Sequence, residues 1–68
     1  MKTISGKQLC RLLEKKGWDR KTINGSHYIY MKQGEKERIS VPVHGNKDLK
    51  MGLLKAVMKI VEIKEEEL

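Results

Sequence analysis

The chain has almost nothing with which to build a covalent or metal-held framework. Cys10 is its single cysteine, so no internal disulfide can form and no cysteine-based metal site exists. A lone thiol fits a reducing compartment. No carboxylate cluster and no Cys/His spacing has the form of a metal site, so no cofactor is expected and metal-independent chemistry is favoured. No apolar run approaches the roughly 20 residues of a membrane span. The opening Met1-Lys2-Thr3-Ile4-Ser5-Gly6 has no apolar signal-peptide core behind its lysine. A cytoplasmic protein without membrane contact is the expectation. Internal repeats and low-complexity segments are also missing.

What is present is short and basic. The 68 residues make one domain, 1–68, with residues 64–68 as an acidic C-terminal tail. A chain of this size buries only about 60% of its unfolded surface, so its stability is marginal and a covering partner would help it. Charged residues make up 35% and hydrophobic ones 38%, which places the chain among globular rather than disordered sequences. Residues 1–59 carry 14 Lys or Arg against five Asp or Glu, a net +9. Residues 60–68 carry one Lys against four Glu, a net −3. The basic body suits a polyanion such as nucleic acid; a solvated, lysine-rich surface is the plainer alternative.

The first helix is punctuated at both ends. Ser5 is a good N-cap and Gln8 completes a capping box, with Ile4 and Leu9 as a hydrophobic staple. Leu9, Leu12 and Leu13 form its apolar stripe, with Cys10 on the flank as a small hydrophobe. Gly17 suits the position after the helix, and Trp18 then packs back as a core anchor. These signals predict a helix over about residues 6 to 16. A strand from Trp18 to Ile23 leads to Asn24-Gly25, a strong hairpin signal in which both central residues take positive φ. Strand two is expected over about residues 27 to 32, with His27, Ile29 and Met31 facing the helices and Tyr28 and Tyr30 on the open face. There the tyrosines either stack bases or pair across strands. Strand three spans about residues 37 to 43, with Ile39, Val41 and Val43 inward; Pro42 puts it at a sheet edge, or ends it. After a polar connector, a second helix runs over about residues 50 to 63, burying Leu53, Leu54, Val57, Met58 and Val61. Gly52 in its first turn costs about 1 kcal/mol relative to alanine. It marks either a close approach or a tolerated cost. The closing glutamates are expected to fray.

The fold class is therefore α+β, in the order α-β-β-β-α: a three-stranded antiparallel sheet with two helices on one face, as in double-stranded-RNA-binding domains. The stretch from Asn24 to Met31 is its chemical centre. His27 carries the side chain best suited to move a proton near neutral pH. Gly25 and Ser26 before it are small enough to let a phosphodiester approach the backbone. Were the polyanion RNA, it would bring its own nucleophile, the 2′-hydroxyl, and an enzyme would need a base, an acid and cations for the phosphate. His44 is open to three roles: second proton-transfer group, phosphate contact or cap for the connector. Lys47 and Lys50 flank the start of helix two and suit phosphate contacts, though each alone also reads as a solvated lysine.

Ser5-Gly6-Lys7-Gln8-Leu9, Gly17-Trp18, Gly25-Ser26-His27, Val41-Pro42-Val43-His44 and Leu49-Lys50-Met51-Gly52-Leu53-Leu54 occur in this order at compact spacing. Together, over about residues 3 to 63, they resemble the HicA toxins, or YcfA-like proteins, of bacterial and archaeal toxin–antitoxin pairs. The resemblance implies a metal-independent endoribonuclease, an mRNA interferase that arrests growth, with His27 as its catalytic histidine. It also implies neutralisation by a HicB antitoxin that covers the site. Members often close helix two with a Gly and a few apolar residues, where this chain continues into its acidic tail. Two further classes stay open beside the enzyme: a non-catalytic RNA-binding module of the same fold, and a protein-interaction domain with a basic face.

Overall fold

Local chemistry sets both ends of the first helix, α1 (Gly6–Lys15), in the computed structural model, which describes residues 2–68. The Ser5 hydroxyl accepts from the Gln8 N–H at 3.3 Å, and Gln8 Oε1 accepts from the Ser5 N–H at 2.9 Å. The capping box is thus complete. At the far end Gly17 turns the chain at φ 91. The Gly17 N–H reaches the Glu14 carbonyl at 3.1 Å and the Trp18 N–H reaches that of Leu13 at 2.9 Å. These two bonds satisfy carbonyls that the helix would leave open, and they deliver Trp18 into the core.

Three antiparallel strands follow, β1 (Asp19–Asn24), β2 (His27–Met31) and β3 (Ile39–Pro42), with β2 in the middle. Asn24 pairs with His27, so the two turn residues are Gly25 and Ser26. Gly25 has φ 63 and Ser26 is not in the positive-φ region. That is the type II′ sense, which needs a glycine only at its first central position. The turn therefore sits one residue later than the Asn24-Gly25 pair suggested, and Asn24 stays extended. β3 is an edge strand that ends at Pro42, as expected. The Val43 N–H still bonds the Ser26 carbonyl at 2.8 Å. The next rung, His27 opposite Pro42, then carries no ladder hydrogen bonds, and the missing proline N–H costs nothing there.

Strand two faces the other way from the expectation. Tyr30 is fully buried and Tyr28 packs partly against the core, whereas Ile29 and Met31 are only half-buried and His27 is exposed. Directly opposed residues share a face. Ile39 and Val41 point inward, and they oppose Tyr30 and Tyr28. The register thus turns both tyrosines toward the helices. Burial of Tyr30 is tolerable because its hydroxyl donates to Glu14 Oε2 at 2.7 Å. Burial, then the contacts with Cys10 and Glu14, push the phenol well above its ordinary pKa, so it remains a donor. Burial likewise raises the Cys10 thiol, which serves as packing.

Leu9 and Leu13 of α1 join Leu54, Val57 and Val61 of α2 (Met51–Val61) in one cluster with Tyr30, Ile39 and Val41. Both helices therefore cover one face of the sheet. Glu62 ends α2 in the left-handed region at φ 60, and the Ile63 N–H reaches back to the Met58 carbonyl at 3.0 Å. The tail does not fray as expected. Residues Glu65–Glu67 form a single 3₁₀ turn, Lys16 Nζ donates to Glu67 Oε1 at 2.9 Å, and Leu68 packs on the core. The anchor is Lys16 at the end of α1, a tertiary partner that the tail's own composition does not announce. A half-exposed pair of this kind contributes at most about 1 kcal/mol. Among the described residues no helix is long and apolar enough to cross a membrane.

Candidate active site

The connector between β3 and α2 is short, polar and tied down at nearly every step. Gly45 has φ 58, and the Lys47 N–H bonds the His44 carbonyl at 3.0 Å. This tight turn brings residues 44 and 47 side by side. Beyond it Asp48 bridges Ser5, and the Leu49 N–H bonds the Ile4 carbonyl at 2.8 Å. The Thr3 hydroxyl donates to the Leu49 carbonyl at 2.6 Å. The segment before α1 thus straps the connector to the body of the domain. Lys50 then caps α2 without a side-chain bond, and no acidic residue lies in the first turn. The start of α2 thus has no side-chain cap, and that end of a helix favours anions.

The result is a pocket of about 240 Å³. Pro42, Leu49 and Leu53 give it apolar lining, and His44, Lys47 and Lys50 give it cationic or proton-carrying groups. Asp48 is its one carboxylate. All three of these basic candidates from the sequence therefore meet in one place. His27 does not line this pocket. It stands next to it, because its cross-strand partner Pro42 does. On the same open face of the sheet, Asn24 is the partner of His27 on the other side.

Gly25 is exposed, and a Cβ built there would meet nothing within 4 Å. The backbone at this turn is open to a bulky ligand. Ser26 is half-buried, and its carbonyl is used by Val43. Gly52 also faces open space, so no strand or side chain of this domain requires a glycine there. Gly6 is different. A Cβ at Gly6 would lie 2.3 Å from the Pro42 carbonyl oxygen and 3.1 Å from Val43 Cγ2. Its bareness lets α1 start directly against the end of β3. Gly6, Asn24 and Pro42 stand out in the sequence only as motif, turn and edge residues, not as neighbours of Pro42 or of His27. Only the register that sets residue 27 against residues 24 and 42 reveals the last two.

Chemically, the arrangement offers two imidazoles, two ammonium groups and an uncapped helix start at the end of the sheet where β2 begins and β3 stops. Among the described residues no group of three or more His, Cys, Asp or Glu is placed to hold a metal ion. A family model described as the HicA toxin of bacterial toxin–antitoxin matches residues 6–63. Comparison with curated proteins gives no match.

Proposed function

From the premise that the chain belongs to the HicA toxin family of bacterial toxin–antitoxin systems, we propose that it is an endoribonuclease acting on mRNA in the cytoplasm. His27 moves a proton at the scissile phosphodiester. Lys47 and Lys50 hold the flanking phosphates with His44 beside them in the same pocket, and the open turn at Gly25 and Ser26 lets the strand pass close to His27. A HicB-type antitoxin neutralises the protein by covering this surface. The observation that carries the reading is the meeting of His44, Lys47 and Lys50 in one pocket whose wall, Pro42, is the strand partner of His27.

The proposed reaction starts from the substrate's own 2′-hydroxyl, so the purified protein is expected to cleave single-stranded RNA in the presence of EDTA. The products are a 2′,3′-cyclic phosphate, or the 3′-phosphate from its hydrolysis, and a 5′-hydroxyl. Activity that returns only on adding a divalent ion would overturn the metal-free mechanism. Retention of RNA with no cleavage would favour the binding-module reading.

Phosphate contacts make affinity depend on salt, because each one releases condensed counterions. The double variant Lys47→Ala/Lys50→Ala is expected to weaken RNA binding and to flatten the plot of log affinity against log salt by about 0.7 for each phosphate left without its lysine. Titrations at several salt concentrations measure this slope directly. An unchanged slope places the RNA elsewhere.

A further inference from the structure

We infer that His44 is the second proton-transfer group of the site, so that two imidazoles flanking Pro42 divide the two proton transfers of RNA cleavage. The inference rests on the ribonuclease reading above and deepens it.

Two observations bring His44 beside Pro42, the strand partner of His27. The pairing of β2 with β3 continues past Pro42, because the Val43 N–H bonds the Ser26 carbonyl at 2.8 Å. Alternate residues of an extended chain share a face. His44 lies two residues beyond Pro42, just past the last bond of the ladder, and Pro42 opposes His27 on the open face. In a ladder continued to His44 the two histidines would be diagonal neighbours roughly 7–8 Å apart, a gap that a phosphodiester fills. Separately, His44 and Pro42 line the same pocket, together with Lys47 and Lys50. Both histidines are exposed. Among the described residues neither imidazole hydrogen-bonds another protein group, so their ring nitrogens are available to substrate. The backbone of His44 is held on both sides, by the Val43 bond before it and the Lys47 turn after it. Catalytic proton transfer needs that kind of fixed placement.

The step balances with two imidazoles and no further reactant. A neutral imidazole takes the 2′-hydroxyl proton, and the 2′-oxygen forms a bond to phosphorus. The bond from phosphorus to the 5′-oxygen breaks, and the second imidazole, entering as imidazolium, gives its proton to that oxygen. The two rings end in exchanged protonation states. Hydrolysis of the cyclic phosphate by water runs the transfers in reverse and restores both. Lys47 and Lys50 offset the charge that builds on the non-bridging oxygens.

The test compares ordinary RNA with RNA carrying sulfur in place of the bridging 5′-oxygen at one site. A thiolate leaves without being protonated, so this substrate makes a general acid unnecessary. On ordinary RNA, His27→Ala and His44→Ala are each expected to lose roughly 10²- to 10⁴-fold in kcat/KM. On the sulfur substrate one of the two variants, the one lacking the acid, regains most of the wild-type rate, and the other does not. Rescue of neither variant leaves His44 a phosphate contact, which lowers both substrates alike, and rescue of both leaves neither histidine as the base; either result overturns the division of roles. Wild-type activity retained by His44→Ala on ordinary RNA also overturns it. Should His44→Ala melt at lower temperature, His44→Gln repeats the comparison with polarity retained at the turn. A wild-type protein that cleaves neither substrate overturns the ribonuclease reading itself, and this inference with it.

Discussion

His27→Ala is expected to lose roughly 10²- to 10⁴-fold in RNA cleavage, the usual contribution of a general acid or base. Its melting temperature and RNA affinity are expected to stay near the wild-type values. The stability argument is geometric: His27 is exposed at the first position of β2, on the face that no helix covers. Removing it opens no cavity and strands no buried partner. The affinity argument is that the proposed phosphate contacts lie in the connector and at the start of α2, away from His27. Expression in cells then gives a protein that no longer arrests growth. A module that only binds RNA predicts the opposite pattern, with weaker retention and no activity to lose. A structural histidine predicts a lower melting temperature that accounts for the loss. One variant measured three ways separates these outcomes, and undiminished cleavage would falsify the central claim.

Gly6→Ala is the second large effect, and its sign is opposite to the one that helix propensity gives. Alanine in place of glycine ordinarily favours a helix by up to about 1 kcal/mol. At Gly6 the new methyl meets the Pro42 carbonyl oxygen at 2.3 Å, a backbone atom that cannot swing aside. Overpacking of this kind costs about 1–3 kcal/mol. A domain of this length has a total stability of only about 3–10 kcal/mol. The expected drop in melting temperature is about 4–8 °C for each kcal/mol lost. Cleavage is expected to fall as well, since the displaced residue, Pro42, is the strand partner of His27 and a wall of the pocket. Gly52→Ala is the control, because its methyl enters open space; it is expected to raise the melting temperature. A Gly6→Ala variant as stable as Gly52→Ala would show that α1 has room to move.

The features legible in the sequence were those written in neighbouring residues. The capping box of Ser5 and Gln8 and the turn at Gly17 and Trp18 involve partners within five positions, and α1 was accordingly bounded to within a residue. His44, Lys47 and Lys50 lie within seven positions, so each could be named from the sequence, but that they line one pocket shows only in the fold. The face of β2 was not legible either. Period two says that His27, Ile29 and Met31 share a side, but not which side is buried. Ile29 and Met31 look more apolar than Tyr28 and Tyr30, yet the inward Ile39 and Val41 decide the matter through register. Glu14 settles it by accepting the Tyr30 hydroxyl from 16 residues away. The tail failed likewise, since its anchor Lys16 lies 51 residues before Glu67.

The strap of Thr3, Ile4 and Ser5 across Asp48 and Leu49 ties the order of synthesis to the site. Its contacts join residues as much as 46 positions apart, so most of the chain must exist before they can close. Non-local contacts of this kind form late, because the loop entropy comes before the reward. A nascent chain that has not yet delivered Leu49 lacks the floor of the pocket, whatever its hairpin has already formed. The histidine of β2 can be in place on the ribosome while the pocket of His44, Lys47 and Lys50 is still missing.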